Sequence, residues 1–280
     1  MGAHLIHVLL AFGLVAVVPL ALAFEDRRTG VVSVKDHTVA GAVGAISFAL
    51  PQGTAAAVLV LPWVALAAYA VVRKVGERPG WNVPAVGGLV ASLYMLIGAS
   101  WLLLSRYGAR PLGLHDAIVE LTAVHFHYAG FVAPVLTLQL LEWSARRRAG
   151  GAAARFSLAA LVVGMPLTAL GFTVSPRYGT AGAAVLTAGL LVVAVTTLVG
   201  VVPATARPAS IALAISSLSV VAAMGVAIVY SLGQWSSIPA PSIEVMAWTH
   251  GLLNAVGFSF FGVAGWHLLE ARPKRLPPLR

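Results

Sequence analysis

Four ionisable side chains lie in the first half of one long apolar run, HDAIVELTAVHFHYAGFVAPVLTLQLLEW: Asp116, Glu120, His125 and His127. Ionisable groups inside a membrane are costly and usually face a bundle interior or a cavity, so these residues form a candidate functional site. At about 100° per residue in an α-helix, Asp116, Glu120 and His127 share one face, whereas His125 points to the opposite side. Pro134 falls on the shared face, and because it lacks an N–H it frees a backbone carbonyl one turn earlier. We therefore expect the site on that face.

The carboxyl groups and the imidazole of this face are suited to acid–base catalysis. Glu120 and His127 are predicted to act as a general acid–base pair, because a desolvated carboxyl group can stay protonated near neutral pH. Asp116 is a second candidate acid. His250 and Asn254, one turn apart near the C-terminus, are predicted to orient substrate or water, and hydrogen bonding between packed helices is the structural alternative.

The string His125-Phe126-His127 indicates a second kind of site. Over four residues it is similar to the His-Phe-His of heme–copper oxidases, which ligates two hemes, one on each side of the helix. A non-heme zinc or iron site is a further alternative, since imidazole and carboxylate ligands suit both metals. The alternative ligands are His7, His125, His127 and His250, with Glu120 for a non-heme metal.

Aromatic and basic residues near this run are candidates for substrate binding. Tyr94 and Trp101, seven residues apart, are predicted to line an apolar cavity and stabilise a cation through their ring faces; packing at the lipid interface is the alternative. Arg106 and Arg110 are predicted to bind an anionic headgroup or, in the heme alternative, the propionates. The full set of predicted substrate-binding residues is Tyr94, Trp101, Arg106, Arg110, His125 and Tyr128.

The composition of the chain places these residues in an integral membrane protein. Of its 280 residues, 59% are hydrophobic and 10% are charged, whereas soluble domains carry about 25% charged residues. The net charge of +9 does not indicate nucleic-acid binding, because the basic residues lie in short loops between apolar runs. The absence of cysteine excludes disulfides and cysteine-ligated metals.

Nine apolar runs predict an all-α polytopic bundle that forms a single transmembrane domain over residues 1–280. The second run is short for a span of about 20 residues, so it either begins earlier, near Val31, or forms a re-entrant segment, and the bundle has eight or nine spans. The predicted spans are 4–24, 37–50, 54–72, 85–105, 116–143, 156–174, 180–202, 211–232 and 243–269.

The distribution of basic residues predicts that the N-terminus is outside and the C-terminus inside. Three of the 18 Lys and Arg residues, Arg106, Arg110 and Arg177, fall in predicted outer segments, and the others fall in inner ones. In this orientation six of the eight histidines lie in the outer half of the membrane. The candidate site residues are therefore expected at a common depth.

Two strings resemble the YndJ-like family of bacterial membrane proteins: ELTAVHFHYAGF, from Glu120 to Phe131, and HGLLNAVGF, from His250 to Phe258. The resemblance covers the fifth and the last predicted spans. It implies that the two polar helices belong to one family pattern, and it implies no reaction. A multi-pass protein of a bacterial cytoplasmic membrane is the expected localisation.

We predict an integral membrane enzyme that acts on a hydrophobic, isoprenoid- or lipid-type substrate in an outer-half cavity. The predicted chemistry is acid–base catalysis, such as isomerisation or cyclisation, and it needs no cofactor. The predicted partners are the bilayer and a hydrophobic small molecule or lipid. Two alternatives stay open: a heme- or metal-binding redox protein, and a proton-coupled carrier in which Asp116, Glu120 and His127 form a relay. The carrier is less favoured because the sequence shows no paired interrupted helices in matching halves.

Overall fold

The protein is a helical bundle in a computed structural model that describes residues 2–30, 33–76 and 82–271. Within these residues the chain forms helices and turns, without strands, and eight helices are long and apolar enough to cross a membrane. The predicted all-α polytopic bundle is confirmed. The suggested start of the second span near Val31, and the basic residues at Arg78 and 272–280, lie outside the described residues.

Over the described ranges we number nine helices, eight of them membrane-capable and one shorter. In chain order they are α1 His4–Arg28, α2 Val34–Ile46, α3 Thr54–Gly76, α4 Val83–Tyr107, α5 Asp116–Arg147, α6 Gly151–Thr173, α7 Pro176–Ala204, α8 Arg207–Gly233 and α9 Ile243–Glu270.

The short helix α2 packs against α1 and α3. It has 13 residues, which is about 20 Å at 1.5 Å per residue, and a single 3₁₀ turn, Ser47–Ala49, extends it. It begins soon after the end of α1, and at its far end the Arg106 guanidinium of α4 donates to the carbonyls of Ser47 and Leu50, at 3.1 and 2.8 Å. The second predicted segment is therefore a helix of the bundle that is shorter than a full span.

The helix that carries the first candidate residues, α5, is the most buried of the eight membrane-capable helices. In its most apolar window 72% of the residues are buried, more than in any of the other seven. The His127 side chain of α5 packs directly against Gly98 of α4. A Cβ atom at Gly98 would lie only 2.9 Å from Nδ1 of His127. The absence of a side chain at this position of α4 makes room for the imidazole.

Pro134 has no N–H to donate, and the backbone of α5 just before it forms hydrogen bonds that span five residues and not four. The segment Phe126–Val132, which ends two residues before Pro134, is a π-helix, and the amide of Ala133 donates to the carbonyl of Tyr128, five residues back. The carbonyl ladder that proline interrupts is therefore continued by a wider turn. Two more π-helical segments, Gly13–Val17 and Thr197–Val201, likewise end two residues before a proline. In α9 the π-helical segments Ala247–Gly251 and Leu253–Phe260 carry His250 and Asn254.

The end of the bundle that we predict to be inner is joined by ion pairs between four helices. Lys74 of α3 donates to Glu25 of α1 at 2.5 Å and to the carbonyl of Gly88 at 3.1 Å, with both charged side chains buried. Arg28 pairs with Glu25 and also with Glu142 of α5, and Arg27 pairs with Glu270 of α9. We call this set the inner network; it comprises Glu25, Arg27, Arg28, Lys74, Glu142 and Glu270. The sequence indicated these basic residues only as a topology signal.

Candidate functional site

His127 lies in the core of the bundle with both ring nitrogens hydrogen-bonded. Its Nδ1 is 2.8 Å from the carbonyl oxygen of Ala123, and its Nε2 is 2.9 Å from Nε1 of Trp63 in α3. The tryptophan nitrogen can only donate, so Nε2 is the acceptor and Nδ1 carries the proton. With 1% of its surface exposed, this neutral imidazole has no position left for a substrate. It joins α3 to α5.

Glu120 pairs with a histidine of another helix, and that histidine is not His127. Its Oε1 is 3.1 Å from Nε2 of His7 in α1 and 3.5 Å from the hydroxyl of Ser105 in α4. The His7 ring stacks on Phe48, with ring centroids 4.8 Å apart. Glu120 and His127 both face α4, as helical phase predicts, but each has its own partners, so the structure assembles neither the acid–base pair nor the proton relay expected from the sequence.

Glu120 and His7 belong to a cavity of about 510 Å³ at the predicted outer end, which we call the outer pocket. Its polar lining is His7, Gln52, Arg106, Asp116, Glu120 and Glu244. These residues come from α1, α4, α5, α9 and the turn before α3. The topology therefore gathers the outer polar residues at one end of the bundle.

The two predicted headgroup-binding arginines already have partners in the protein. Arg106 is 2% exposed, donates to backbone carbonyls and lies over the Phe48 ring at 5.4 Å. Arg110 forms a two-bond ion pair with Asp116, at 2.7 and 2.8 Å, on the exposed surface. Asp116, a predicted acid, is thus held by Arg110 at the rim of the outer pocket.

A second cavity, of about 270 Å³, lies between α1, α5, α6, α7, α8 and α9. Its wall is largely aliphatic and aromatic, and includes Met165, Phe172 and Met224. Among its few polar side chains are His125, His250 and Asn254. We call it the histidine cavity.

His125 and His250 each have one ring nitrogen tied to the backbone. Nδ1 of His125 is 2.7 Å from the carbonyl oxygen of Leu121, and Nδ1 of His250 is 2.9 Å from that of Ala223 in α8. A carbonyl oxygen accepts only, so each Nδ1 carries the proton and each Nε2 has a lone pair. The two ring centroids are 6.2 Å apart and their planes differ by 27°.

Asn254 supports His250 from one turn away. Its amide nitrogen donates to the His250 carbonyl at 2.9 Å and lies 3.3 Å from both ring nitrogens of that histidine. His250 and Asn254 therefore form one polar group in the cavity wall.

The predicted aromatic residues divide between the cavity and the core. Tyr94 donates its hydroxyl to the carbonyl of Val162 at 2.6 Å and lies outside both cavities. Trp101 packs against the hydrophobic core and also lies outside them. Tyr128 lines the histidine cavity, and its hydroxyl donates to the carbonyl of Leu9 at 2.8 Å.

The four alternative metal or heme ligands do not converge. His7 is bonded to Glu120 and His127 to Trp63, whereas His125 and His250 share the histidine cavity. Across the part of the chain that the structure describes, no three His, Asp or Glu side chains are placed to hold one metal ion.

Comparison with known proteins gives a family and one curated relative. A family model described as YndJ-like protein matches residues 8–258. The relative, named Uncharacterized membrane protein YndJ, from Bacillus subtilis (strain 168), is 24% identical over 209 residues, which cover 74% of this chain and 37% of that protein. The chain thus spans little more than a third of the relative's length. No solved structure matches.

Proposed function

This chain belongs to the YndJ-like protein family, and we propose that it takes a hydrophobic, lipid-type molecule into the histidine cavity and acts on it by acid–base catalysis. It is a multi-pass membrane protein by its eight membrane-capable helices. One observation supports the proposal above the others: two imidazoles, each with its proton on Nδ1, line a cavity that is otherwise mostly apolar, and Nε2 of His125 has no partner among the described residues. Such groups are costly within a membrane, and their presence there indicates a functional site.

We propose that His125 and His250 act as bases in this reaction. A neutral imidazole with a free Nε2 can remove a proton from a bound molecule and return it at another atom of that molecule. This sequence of steps is an isomerisation, and it consumes no cofactor. A cyclisation that begins by protonating the substrate needs an acid in the cavity, whereas Glu120 lies in the outer pocket. We therefore favour isomerisation.

Uptake of a molecule is tested by placing a large side chain either inside the histidine cavity or on the outer side of the same helix, α8. Ala227 lines the histidine cavity, whereas Ala222 on the same helix is exposed to the surroundings of the bundle. We expect a hydrophobic molecule to co-purify in detergent with the wild type and with Ala222→Phe, and to be lost from Ala227→Phe. Mass spectrometry of the extracted lipid measures this. Equal retention by both variants would contradict uptake at this cavity.

Catalysis is tested with the molecule so identified. We expect His125→Phe and His250→Phe each to slow its conversion by roughly 10²-fold or more, the usual contribution of a general base. Conversion at the wild-type rate in both variants would remove the catalytic assignment and leave a binding protein.

A second candidate, a heme- or metal-binding redox protein, is favoured by the tautomers of the same two residues. Histidines that ligate metals usually donate their other N–H to a carbonyl or carboxylate, as His125 and His250 do. Visible absorption and elemental analysis of the purified protein separate the candidates. A Soret band or stoichiometric transition metal that disappears in both His125→Phe and His250→Phe would favour this function over the first.

A further inference from the structure

Most of the hydrogen-bond donors of the histidine cavity are used by the protein itself. Four hydroxyl groups of its wall donate to backbone carbonyls at 2.7–2.9 Å: those of Thr122, Tyr128, Thr168 and Ser231. The side-chain amide of Gln234 donates to a carbonyl at 3.3 Å. A ligand that enters therefore meets few N–H or O–H groups free to donate to it.

The polar atoms beside the two imidazoles are instead acceptors. Nε2 of His125 has a lone pair, and among the described residues it has no hydrogen-bond partner. Nε2 of His250 also has a lone pair, but it accepts from the Asn254 amide at 3.3 Å, and the other N–H of that amide is bonded to the His250 carbonyl at 2.9 Å. The side-chain oxygen of Asn254 can only accept. His125 Nε2 is thus the most available polar atom in this part of the wall.

The two wall hydroxyls without an acceptor are distant from this group along their helices. Tyr230 follows Ala223, the carbonyl partner of His250, by two turns of α8, and Ser259 follows His250 by more than two turns of α9. At 1.5 Å per residue each offset is about 10 Å or more. Along the helix axes these two hydroxyl-bearing residues are therefore displaced from His250 and its carbonyl partner.

The wall of this cavity contains no Asp, Glu, Lys or Arg side chain among its described residues. A charged ligand would enter an apolar environment without an opposite charge to stabilise it, which is costly. A ligand with an ammonium group is therefore disfavoured in this cavity compared with a ligand whose hydrogen-bond donor is uncharged.

From this arrangement we propose that the molecule bound in the histidine cavity is an uncharged alcohol or phenol with an apolar body. Its hydroxyl proton is donated to Nε2 of His125, with His250 and Asn254 beside it. The inference rests on the proposed function, since it names the substrate class of that same site. Carbonyls, ethers and carboxylates offer only lone pairs to a group of acceptors and are excluded by the same chemistry.

The volume of the cavity sets which part of the molecule it holds. At about 270 Å³ it is just below the 300–1,000 Å³ range of pockets that enclose a small-molecule ligand. It accommodates a compact alcohol, or the hydroxyl end of a long-chain alcohol whose remaining chain lies between the helices.

Three probes that differ only at the polar end test the hydroxyl requirement: farnesol, farnesyl methyl ether and farnesal, each titrated against the full chain in detergent. We expect the alcohol to bind about tenfold more tightly than the ether or the aldehyde, the effect of one hydrogen bond to an otherwise unpaired acceptor. In His125→Phe the preference should fall below about threefold. His115→Phe, at an exposed position before α5, should keep it.

The outcomes separate this inference from the proposed function. If ether or aldehyde binds the wild type as tightly as the alcohol, the hydroxyl class is overturned while uptake by the cavity stands. If no probe binds and Ala227→Phe also retains the co-purified molecule, the proposed function itself fails. Should His125→Phe not fold, the wild-type preference for alcohol over ether decides the question alone.

Discussion

The inner network and the histidine cavity handle polar groups inside the bundle in opposite ways. In the inner network the Lys74 ammonium reaches both Glu25 and a backbone carbonyl, and Arg28 reaches two carboxylates. In the histidine cavity, His125 uses one ring nitrogen and leaves the other without a partner among the described residues, and His250 bonds through Nδ1 to a carbonyl and through Nε2 to the Asn254 amide. Fully partnered groups hold helices together, whereas half-partnered groups are available to a ligand.

The two histidines of the His-Phe-His string give the closest comparison, because they stand two residues apart on one helix. His127 bonds through both nitrogens and is buried against α3 and α4, whereas His125 bonds through one and faces the cavity. Both residues are histidines, so they differ only in how many ring nitrogens are hydrogen-bonded. On this basis we interpret His127 as a packing residue and propose His125 as a binding residue.

The largest effect is expected where a buried charge loses its partner in the inner network. Lys74→Leu leaves Glu25 with one positive neighbour fewer in a buried position, which should cost about 3–5 kcal/mol of stability. The melting temperature in detergent should fall by roughly 10 °C. The double variant Glu25→Leu/Lys74→Leu should recover much of the loss. A single variant that melts with the wild type would show that the pair contributes no net stability.

The same substitution at the two neighbouring histidines should separate stability from binding. His127→Phe leaves the Trp63 N–H unpaired and crowds Gly98, for a loss of roughly 2–4 kcal/mol. His125→Phe should cost less than about 1 kcal/mol, because only a local bond to Leu121 is lost, but it should release the co-purified molecule. Thermal unfolding and lipid analysis of both variants test this. The reverse pattern would exchange the roles of the two residues.

A smaller effect is expected at the outer pocket. Glu120→Gln replaces the carboxyl group that contacts His7 by an amide at a buried position, which should cost about 0.5–1.5 kcal/mol, the net contribution of one hydrogen bond. We expect this variant to retain the molecule bound in the histidine cavity. If lipid analysis finds that molecule lost, Glu120 takes part in the site and the two cavities act as one.

The smallest effect is expected at the rim. Arg110→Ala removes a two-bond contact to Asp116 between exposed side chains, and such pairs contribute little because water screens them. The melting temperature and the amount of co-purified molecule should both equal those of the wild type. A clear loss of either would make the rim part of the site.

The sequence predicted the parts of the site that helical phase and hydropathy determine. Apolar runs placed the spans, and 100° per residue placed His125 and His127 on opposite sides of α5. The one-turn spacing of His250 and Asn254 predicted that they would meet. These relations are local, so a single helix specifies them.

The other contacts of the site depend on which helices pack side by side. The sequence of a single helix carries no signal for its neighbours. The bonds of His127 to Trp63, of Glu120 to His7 and of Tyr94 to Val162 each join residues more than 60 positions apart. The pairing of His125 with His250 has the same origin. Helical phase showed which way a side chain points, but the packing of the bundle decided whether it meets a partner or a cavity.

The ¹⁵N NMR spectrum of the histidine side chains, recorded on the lipid-reconstituted protein at neutral pH, shows which ring nitrogens of His125 and His250 carry a proton. The signals of His125 and His250 are assigned by their absence from His125→Phe and His250→Phe. We expect both rings to be neutral, with the proton on Nδ1 and an unprotonated Nε2 whose shift changes when an alcohol is added. A proton on Nε2, or a His125 signal that no added alcohol moves, would contradict the proposal that Nε2 of His125 faces the cavity as a free acceptor.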